Sequence, residues 1–391
     1  MRILHSIRSV NPAGGGPIEG INQLYIELKK IGHEIEILCL DKKDCDWVKK
    51  SKIKCHALGK GFGVYGLNIN IIRWLIKNRI RYDVIIINGI WQFHSLGTFI
   101  GLIGSNIPYY VYPHGMLDPW FKKTYKLKHF KKFIYWYLFE YYTFKFAKRI
   151  MFTCKEEEKL AKESFPYLYN FQTFVSGYGI SHPDIDNNSC RLLFLKKYPH
   201  LAQNKCIIYL GRLHEKKGID MLLESFSNTL LKVPSSISKD LHLIICGSGA
   251  HKYEEYLNDF VIKLNLEKKV TFTGLIQGNV KFGALLCSDL FALCSHQENF
   301  GLSIVESLAL SIPVIITNKV NIFYEIKDYN AGFITDDTVT SFTNGLINYL
   351  NTDNSTRSNM RNNAYICYVN NFNTKNLAVT LTSLFSNDAN K

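Results

Sequence analysis

The sequence lacks the features that would place it among secreted, zinc-binding or membrane-spanning proteins. None of its ten cysteines forms a C-x-x-C pair, which argues against a disulfide framework or a zinc site and predicts reduced, mostly buried thiols. No run of 18 or more apolar residues occurs, so no spanning helix is expected. The first ten residues, M-R-I-L-H-S-I-R-S-V, have too short an apolar part for a signal peptide and predict a first strand. These absences favour a cytoplasmic location.

Two common phosphate-binding signatures are also missing. The glycine loop Asn11–Pro17 (N-P-A-G-G-G-P) is not followed by Gly-Lys-Ser/Thr, which excludes a Walker loop, and it does not complete G-x-G-x-x-G. Two D-x-D triplets, Asp44–Asp46 and Asp184–Asp186, spell a pattern that some transferases use to bind a metal and a diphosphate. Three-letter matches are frequent by chance, and both triplets lie away from the strand ends predicted below. Neither triplet is therefore interpreted as a metal site.

Acidic residues are scarce relative to basic ones: 33 Asp and Glu face 47 Lys and Arg, a formal net charge of +14. Such an excess suits nucleic acid, an anionic membrane surface or phosphorylated substrates. No recognisable nucleic-acid-binding module accompanies the charge, so nucleic acid is not an expected partner.

Much of that charge lies in residues 120–150, with nine Lys or Arg, one Glu and thirteen aromatic residues. Lysines beside Trp, Tyr and Phe are typical of segments that lie on an anionic membrane. An amphipathic helix with its aromatic residues in the core and its lysines in water explains the same composition. Both interpretations stay open at this point.

Strands and helices alternate along the chain in two series. The first series starts at Arg2–Ile7 and the second at Cys206–Leu210, and the weakly patterned segment Val175–Asn188 between them is the best candidate for a linker. The other predicted strands are Glu34–Leu40, Asp83–Asn88, Tyr109–Tyr112, Leu241–Cys246, Val270–Thr273, Leu290–Cys294 and Pro313–Thr317. Alternating elements predict an α/β protein with two Rossmann-like, doubly wound parallel-sheet domains facing a cleft.

In such sheets, ligands bind beyond the carboxyl ends of the strands. Arg212 and Lys217 follow the strand Cys206–Leu210, and a cationic pair at that place suits a diphosphate. Glu298 and Glu306 follow the strand Leu290–Cys294, the second of them inside a predicted helix, Ser303–Leu310. Carboxylates accept hydrogen bonds from the paired hydroxyls of ribose or hexose rings.

Backbone groups are expected to bind ligand as well. The free amides at the start of the predicted helix, those of Phe300, Gly301, Leu302 and Ser303, would point at an anion or at hydroxyls. In the glycine loop, Gly15 and Gly16 would let the backbone approach a ligand at a helix N-terminus. His114, in the segment Y-P-H-G-M-L-D-P-W after a strand, could act as a base, hydrogen-bond a sugar or simply pack.

Together these motifs resemble the retaining glycosyltransferases of the GT-B fold in glycosyltransferase family 4. The similar elements are Gly14-Gly15-Gly16-Pro17, H-G-M-L-D-P-W, Gly-Arg with Lys-Gly at 211 to 218, and E-x7-E from Glu298 to Glu306 followed by S-L-A-L-S-I-P-V-I. The resemblance covers nearly the whole chain. H-G-M-L-D-P-W resembles a subgroup found in bacterial O-antigen, capsule and exopolysaccharide synthesis.

The resemblance implies an acceptor-binding domain at 1–180, a nucleotide-sugar-binding domain at 181–370 and a last helix, 371–391, that crosses back to the first domain. It also implies a role for each candidate residue. Arg212 and Lys217 would hold the donor diphosphate, Glu306 the ribose and Glu298 the donor sugar. The amides of Phe300, Gly301 and Leu302 would bind sugar hydroxyls or phosphate, Gly15 or Gly16 would approach the diphosphate, and His114, with Glu298, would lie at the catalytic centre near the transferred sugar.

The activity that the resemblance implies is the retaining transfer of a hexose-type sugar from a UDP- or GDP-sugar, with no metal and no cofactor. The expected acceptor is a growing, lipid-linked O-antigen or capsular glycan at the inner face of the cell membrane, with residues 120–150 on the anionic surface. Two alternatives are weighed against this. A sugar-nucleotide epimerase of the same fold would convert the donor without an acceptor, and a non-catalytic or dehydrogenase-like protein would bind nucleotide or NAD without turnover.

Overall fold

The computed structural model describes residues 1–119 and 132–389, which fold as two compact units. The first unit contains Met1–Ser181 and Asn373–Lys391, and the second contains His182–Phe372. The step from one unit to the other at Ser181 and His182 lies inside the weakly patterned segment 175–188.

The first unit is built on a seven-stranded parallel sheet with strand order β3-β2-β1-β4-β5-β6-β7. Its strands are β1 Arg2–Ile7, β2 Glu34–Cys39, β3 Lys54–Ala57, β4 Val84–Asn88, β5 Tyr109–Tyr112, β6 Arg149–Phe152 and β7 Thr173–Val175. Every residue of β4 and β5 is buried. A continuous apolar strand of this kind requires helices on both faces of the sheet.

Helices cover those faces by their apolar stripes. They are α1 Gly16–Lys30, α2 Asp46–Lys49, α3 Asn70–Asn78, α4 Phe93–Leu102, α5 Tyr141–Lys145 and α6 Lys155–Ser164, with a π-helical turn at Trp136–Glu140 before α5. In α1, Ile18, Ile21, Leu24 and Leu28 are buried at spacings of three and four residues. The chain leaves α1 through Gly32, whose φ of 84° is a left-handed conformation that favours glycine.

The second unit is built on a six-stranded parallel sheet with strand order β10-β9-β8-β11-β12-β13. Its strands are β8 Lys205–Leu210, β9 Leu241–Cys246, β10 Val270–Gly274, β11 Leu290–Leu293, β12 Val314–Thr317 and β13 Gly332–Thr335. Its helices are α7 Asn187–Lys197, α8 Ile219–Lys232, α9 Ser235–Ser238, α10 His251–Lys263, α11 Gly278–Leu286, α12 Leu302–Ala309, α13 Phe323–Asp328, α14 Val339–Asn351 and α15 Asn354–Cys367.

The last helix, α16 Thr374–Ala389, packs on α1 in the first unit. Leu377, Leu381 and Phe385 share one core with the buried face of α1. Near its end, Asp388 accepts two hydrogen bonds from the Arg149 guanidinium, at 2.8 and 2.7 Å. This bidentate ion pair ties the end of the chain to β6 and lowers the pKa of the Asp388 carboxyl.

The α/β prediction with two parallel-sheet domains is confirmed. Four short strands were not predicted: β3, β6, β7 and β13, each of three or four residues.

The interpretation of residues 120–150 as one amphipathic helix is wrong at its end, because Arg149 and Ile150 belong to β6. Trp120 to Lys131 of that segment lie outside the described residues. Among the helices that the structure describes, none is long and apolar enough to span a membrane.

Candidate active site

Seven of the predicted site residues lie in the second unit, in the loops after β8 and β11 and in the helix that follows. They are Arg212, Lys217, Glu298, Phe300, Gly301, Leu302 and Glu306. Because β8 and β11 are hydrogen-bonded neighbours in the parallel sheet, their carboxyl ends lie side by side, and the loops that follow them meet.

The short helical turn Glu215–Lys217 packs directly on the end of β11. The carbonyl oxygen of Lys216 accepts hydrogen bonds from the His296 amide at 2.9 Å and the Ser295 hydroxyl at 3.1 Å. The turn closes at Gly218, which has a φ of 61°, and a Cβ there would lie 2.2 Å from the Cys294 carbonyl oxygen. Only glycine therefore permits this close approach.

That packing places the Lys217 ammonium in an ion pair with the Glu298 carboxylate. The Glu298 backbone is held on both sides, since its amide donates to Lys319 O and its carbonyl accepts from the Asn321 amide, each at 3.0 Å. Burial alone would raise the pKa of Glu298, but Lys217, together with Lys216 and the Asn299 amide, outweighs burial and lowers it. Glu298 is therefore ionised at neutral pH and paired with the Lys217 ammonium.

Arg212 follows β8 by two residues, and its side chain is exposed. The Tyr209 hydroxyl donates to the Arg212 carbonyl at 2.8 Å, which fixes the backbone from which the guanidinium extends. Among the described residues, no carboxylate lies within ion-pair distance of Arg212. A guanidinium that extends from a fixed backbone and has no carboxylate partner among these residues is suited to binding an anionic ligand.

Helix α12 begins at Leu302 and is capped by Gly301, which has a φ of 78°. In this conformation a Cβ on Gly301 would lie 2.6 Å from Ile304 Cδ1. The Phe300 side chain is buried against Phe372, edge to face with a centroid distance of 5.6 Å. The side chain of Phe300 therefore stabilises the loop, and its predicted contact with ligand would fall to the backbone.

Glu306 lies in the second turn of α12 and forms an ion pair with Lys281 of α11, with 2.7 Å between Nζ and Oε1. Sequence reasoning missed Lys281, since it lies inside a helix and not in a loop after a strand. The two carboxylates of E-x7-E thus have separate lysine partners, Lys217 for Glu298 and Lys281 for Glu306.

In the first unit, the glycine loop forms the N-terminus of α1. Gly15 caps the helix with a φ of 79°, Gly16 is its first residue, and a Cβ on either would meet nothing within 4 Å. The Tyr178 hydroxyl donates to Gly16 O at 2.5 Å. Its ring fills the space over Gly20, where a Cβ would lie 1.7 Å from the Tyr178 oxygen. Tyr178 thereby holds the first turn of α1 in place.

His114 lies beside the same tyrosine, with ring centroids 5.9 Å apart. Its own φ is 50°, its ring stacks on Tyr112, and its Nε2 lies 3.3 Å from Asn88 Oδ1. Burial and the neighbouring His5 lower the pKa of His114 to about 3. An imidazole with so low a pKa is a weak base, which favours a hydrogen-bonding role over proton abstraction.

Two buried glutamates, which sequence reasoning also missed, hold the loops around His114. Glu157 accepts from the Gly115 amide at 2.5 Å and from the Thr153 amide at 2.8 Å. Glu140, in the π-helical turn, accepts from the Trp91 amide and the Ser95 hydroxyl, both at 2.9 Å. Glu157 comes from K-E-E-E-K and Glu140 from a run of aromatic residues, and neither pattern indicates burial.

Burial raises the pKa of Glu140 to about 7, which predicts a pH-dependent stability. The ionised form is disfavoured in the fold, so this group's contribution falls as pH rises from 4.5 to about 7 and is level above that. The Glu140→Gln variant has no ionisable group at this position. Its free energy of unfolding relative to that of the parent should therefore rise by about 3 kcal/mol from acidic to alkaline pH. Urea unfolding at pH 5 and pH 8 measures this, with the exposed Glu163→Gln as control. The same difference at both pH values would contradict it.

The described part of segment 120–150 has both a buried and an exposed side. Trp136 and Phe144 are fully buried, whereas Leu138 is 59% exposed and Phe146 60%. Other large exposed side chains of this part are Phe133, Ile134, Tyr137, Phe139 and Tyr142. The structure thus supports core packing for some of these residues and leaves an apolar surface with Lys132 and Lys145 around it.

The D-x-D triplets have local structural roles. Asp186 caps α7 by accepting from the Asn188 amide at 3.0 Å, and Asp46 is the first residue of α2. Over residues 1–119 and 132–389, no group of three or more His, Cys, Asp or Glu side chains is placed to hold a metal ion.

The match of this chain to a known protein family falls within the second unit. Residues 193–366 match the family described as Glycosyl transferases group 1. Over 129 residues the chain is 31% identical to the mannosylfructose-phosphate synthase of Agrobacterium fabrum, covering 32% of this chain and 28% of that enzyme. Over 118 residues it is 32% identical to the O-antigen biosynthesis glycosyltransferase WclY of Escherichia coli, covering 30% of each. The chain thus spans less than a third of the length of these curated relatives.

A likeness of the whole chain comes from solved structures. The Anabaena protein Alr3699/HepE, solved in complex with UDP and glucose, covers 99% of this chain and 100% of its own with a TM-score of 0.77 and 18% identity. At that identity the likeness shows the fold alone. The predicted GT-B fold is thereby confirmed, and the glycosyltransferase prediction is supported by the match of residues 193–366 to the group 1 glycosyltransferase family.

Proposed function

We propose that this protein is a retaining, family 4 glycosyltransferase that moves a hexose-type sugar from a UDP- or GDP-sugar to a growing, lipid-linked O-antigen or capsular glycan. The observation that carries the proposal is the group formed by exposed Arg212 and the Lys217–Glu298 ion pair at the carboxyl ends of β8 and β11. This group lies within the matched glycosyltransferase domain, residues 193–366.

The donor diphosphate binds Arg212 and Lys217 in this proposal. Lys217 exchanges its Glu298 partner for a phosphate oxygen, which leaves the Glu298 carboxylate to accept hydrogen bonds from donor-sugar hydroxyls. The amides of Phe300, Gly301 and Leu302 add donors at the positive end of α12. Alr3699/HepE was solved with UDP, which supports a nucleoside diphosphate as the ligand class.

The reaction breaks the bond between the anomeric carbon of the sugar and the β-phosphate oxygen. An acceptor hydroxyl forms the new bond on the same face, and its proton passes to the leaving phosphate, so the configuration is retained. Negative charge grows on that phosphate, and Arg212, Lys217 and the helix N-terminus stabilise it without a metal ion. Such electrostatic stabilisation is the main contribution of the protein to catalysis in this proposal.

The first unit supplies His114 and the glycine loop in this proposal. His114 is neutral, so it donates or accepts a hydrogen bond near the transferred sugar. Gly15 and Gly16 present open backbone at the N-terminus of α1, which suits a phosphate.

The acceptor side of the proposal is supported by similarity to WclY, an O-antigen biosynthesis glycosyltransferase, and by the surface of residues 132–146. Exposed aromatic residues with lysines suit the interface of an anionic membrane. The protein would then work at the inner face of the cell membrane. Sedimentation with anionic and with neutral vesicles tests this part, and equal partitioning into both would contradict it.

Thermal unfolding with UDP, GDP, ADP, CMP or NAD, in the presence of EDTA, tests the function. A ligand at about 100 times its dissociation constant adds about 2.7 kcal/mol of stability. We expect a midpoint shift with UDP or GDP despite the chelator. A midpoint shift with NAD alone would overturn the proposal, and so would the absence of a midpoint shift with every nucleoside diphosphate. Conversion of the donor to an epimer without any acceptor would identify an epimerase instead.

A further inference from the structure

Lys281 and Glu306 form an ion pair between two helices of the second unit, with 2.7 Å between the ammonium nitrogen and Oε1. Lys281 is the fourth residue of α11, and Glu306 the fifth of α12. Their side chains are 22% and 20% exposed, so the pair is partly buried and is screened only in part. Among the described residues, no other cation pairs with Glu306, and its Oε2 has no hydrogen-bond partner.

The position of Lys281 is not explained by its own helix. A lysine in the first turns of a helix meets the positive end of the helix dipole, which is unfavourable. The ammonium also lies 4.5 Å from the centroid of the Phe282 ring, a cation–π contact that directs it. The side chain is therefore held toward Glu306 by two attractive contacts, against the preference of the helix.

The helix that carries Lys281 is closely packed. α11 packs closely on α7, because a Cβ on Gly283 would lie 2.1 Å from the Cys190 carbonyl oxygen. α12 is fixed in turn by its glycine cap at Gly301 and by the buried residues Ile304, Val305 and Leu308. The close packing of these two helices places Lys281 and Glu306 side by side, with the ammonium on Oε1 of the carboxylate.

We propose that Lys281 is a positioning residue for the donor ribose. It occupies Oε1 of Glu306 and so turns Oε2 and the remaining lone pairs toward the vicinal 2′ and 3′ hydroxyls of the nucleotide. A carboxylate has about four acceptor sites, enough for one ammonium and two hydroxyls. The inference rests on the proposed function, in which Glu306 binds the ribose, and assigns to Lys281 a selectivity for ribonucleotides over deoxyribonucleotides.

The test compares UDP or GDP, whichever binds tighter, with its 2′-deoxy and 3′-deoxy analogues by isothermal titration calorimetry. For Lys281→Met we expect about tenfold weaker binding of the ribonucleotide, as for a lost charge-assisted contact at a partly exposed site. Binding of each deoxy analogue should weaken by a smaller factor, because each analogue lacks one of the two hydroxyls that Glu306 binds in this proposal. Lys281→Arg should restore most of the selectivity, and Glu306→Gln should reproduce its loss.

Lys263→Met, at an exposed lysine of α10, is the matched control and should bind all three ligands as the parent does. Circular dichroism on each variant checks that it is folded, and Lys281→Gln serves if Lys281→Met is not. An equal loss of affinity for ribo- and deoxyribonucleotides would overturn the inference while leaving the proposed function standing. If the parent protein binds no nucleoside diphosphate, both are overturned.

Discussion

Arg212→Ala should lower kcat/KM for the sugar donor by about 10²–10³-fold, as for the removal of one group that stabilises transition-state charge. The guanidinium is exposed, extends from a backbone fixed by Tyr209, and has no carboxylate partner among residues 1–119 and 132–389. Its charge is therefore not used inside the fold. The variant should keep the unfolding midpoint of the parent, because no packing or ion pair is removed.

The measurement is steady-state kinetics of nucleoside diphosphate release, with the midpoint shift by that diphosphate as a second readout. Lys216→Ala is the matched control, a neighbouring cation in the adjacent turn, and should change kcat/KM by less than about threefold because its contribution is long-range and screened. Equal losses for the two variants would mean that general positive charge, and not the fork geometry of Arg212, binds the donor.

Glu298→Ala should also lower kcat/KM by about 10²-fold, yet it should not weaken the binding of the diphosphate alone. The carboxylate contacts the sugar in the proposed complex, so its loss affects transfer. The same carboxylate pairs with Lys217 when no ligand is bound, so its removal frees the ammonium for phosphate. UDP or GDP affinity should therefore be unchanged or higher while turnover falls.

Calorimetry with the diphosphate and kinetics with the sugar donor separate the two effects. Lys217→Ala provides the comparison, since it should weaken both diphosphate binding and turnover. The pKa of Glu298 is lowered by Lys217, so the carboxylate stays ionised through the neutral range and its loss should cost the same at pH 6 and pH 8. Diphosphate affinity that falls as far as turnover would show that Glu298 supports the loop and does not contact the sugar.

Local pattern predicted most of the central strands. Three of them are apolar runs bounded by turn residues: D-V-I-I-I-N, C-I-I-Y-L and L-H-L-I-I-C. Such a run is the pattern expected for a parallel strand that is buried on both faces. The short strands β3, β6, β7 and β13 escaped prediction because three or four residues give no period to detect. Arg149 at the start of β6 also lies in a run of lysines and aromatic residues, which hid the strand.

The sequence by itself determined the loops that carry the candidate site, through Gly218 and Gly301 with positive φ and through the spacing of Glu298 and Glu306 across a helix start. These features are local, and backbone sterics near one residue are enough to enforce them. Tertiary structure alone decided the partners: Lys217 for Glu298, Lys281 for Glu306, and the burial of Glu140 and Glu157. Such pairs depend on strand order and helix packing. Contacts between residues that are distant in sequence produce no periodic sequence pattern from which they could be predicted.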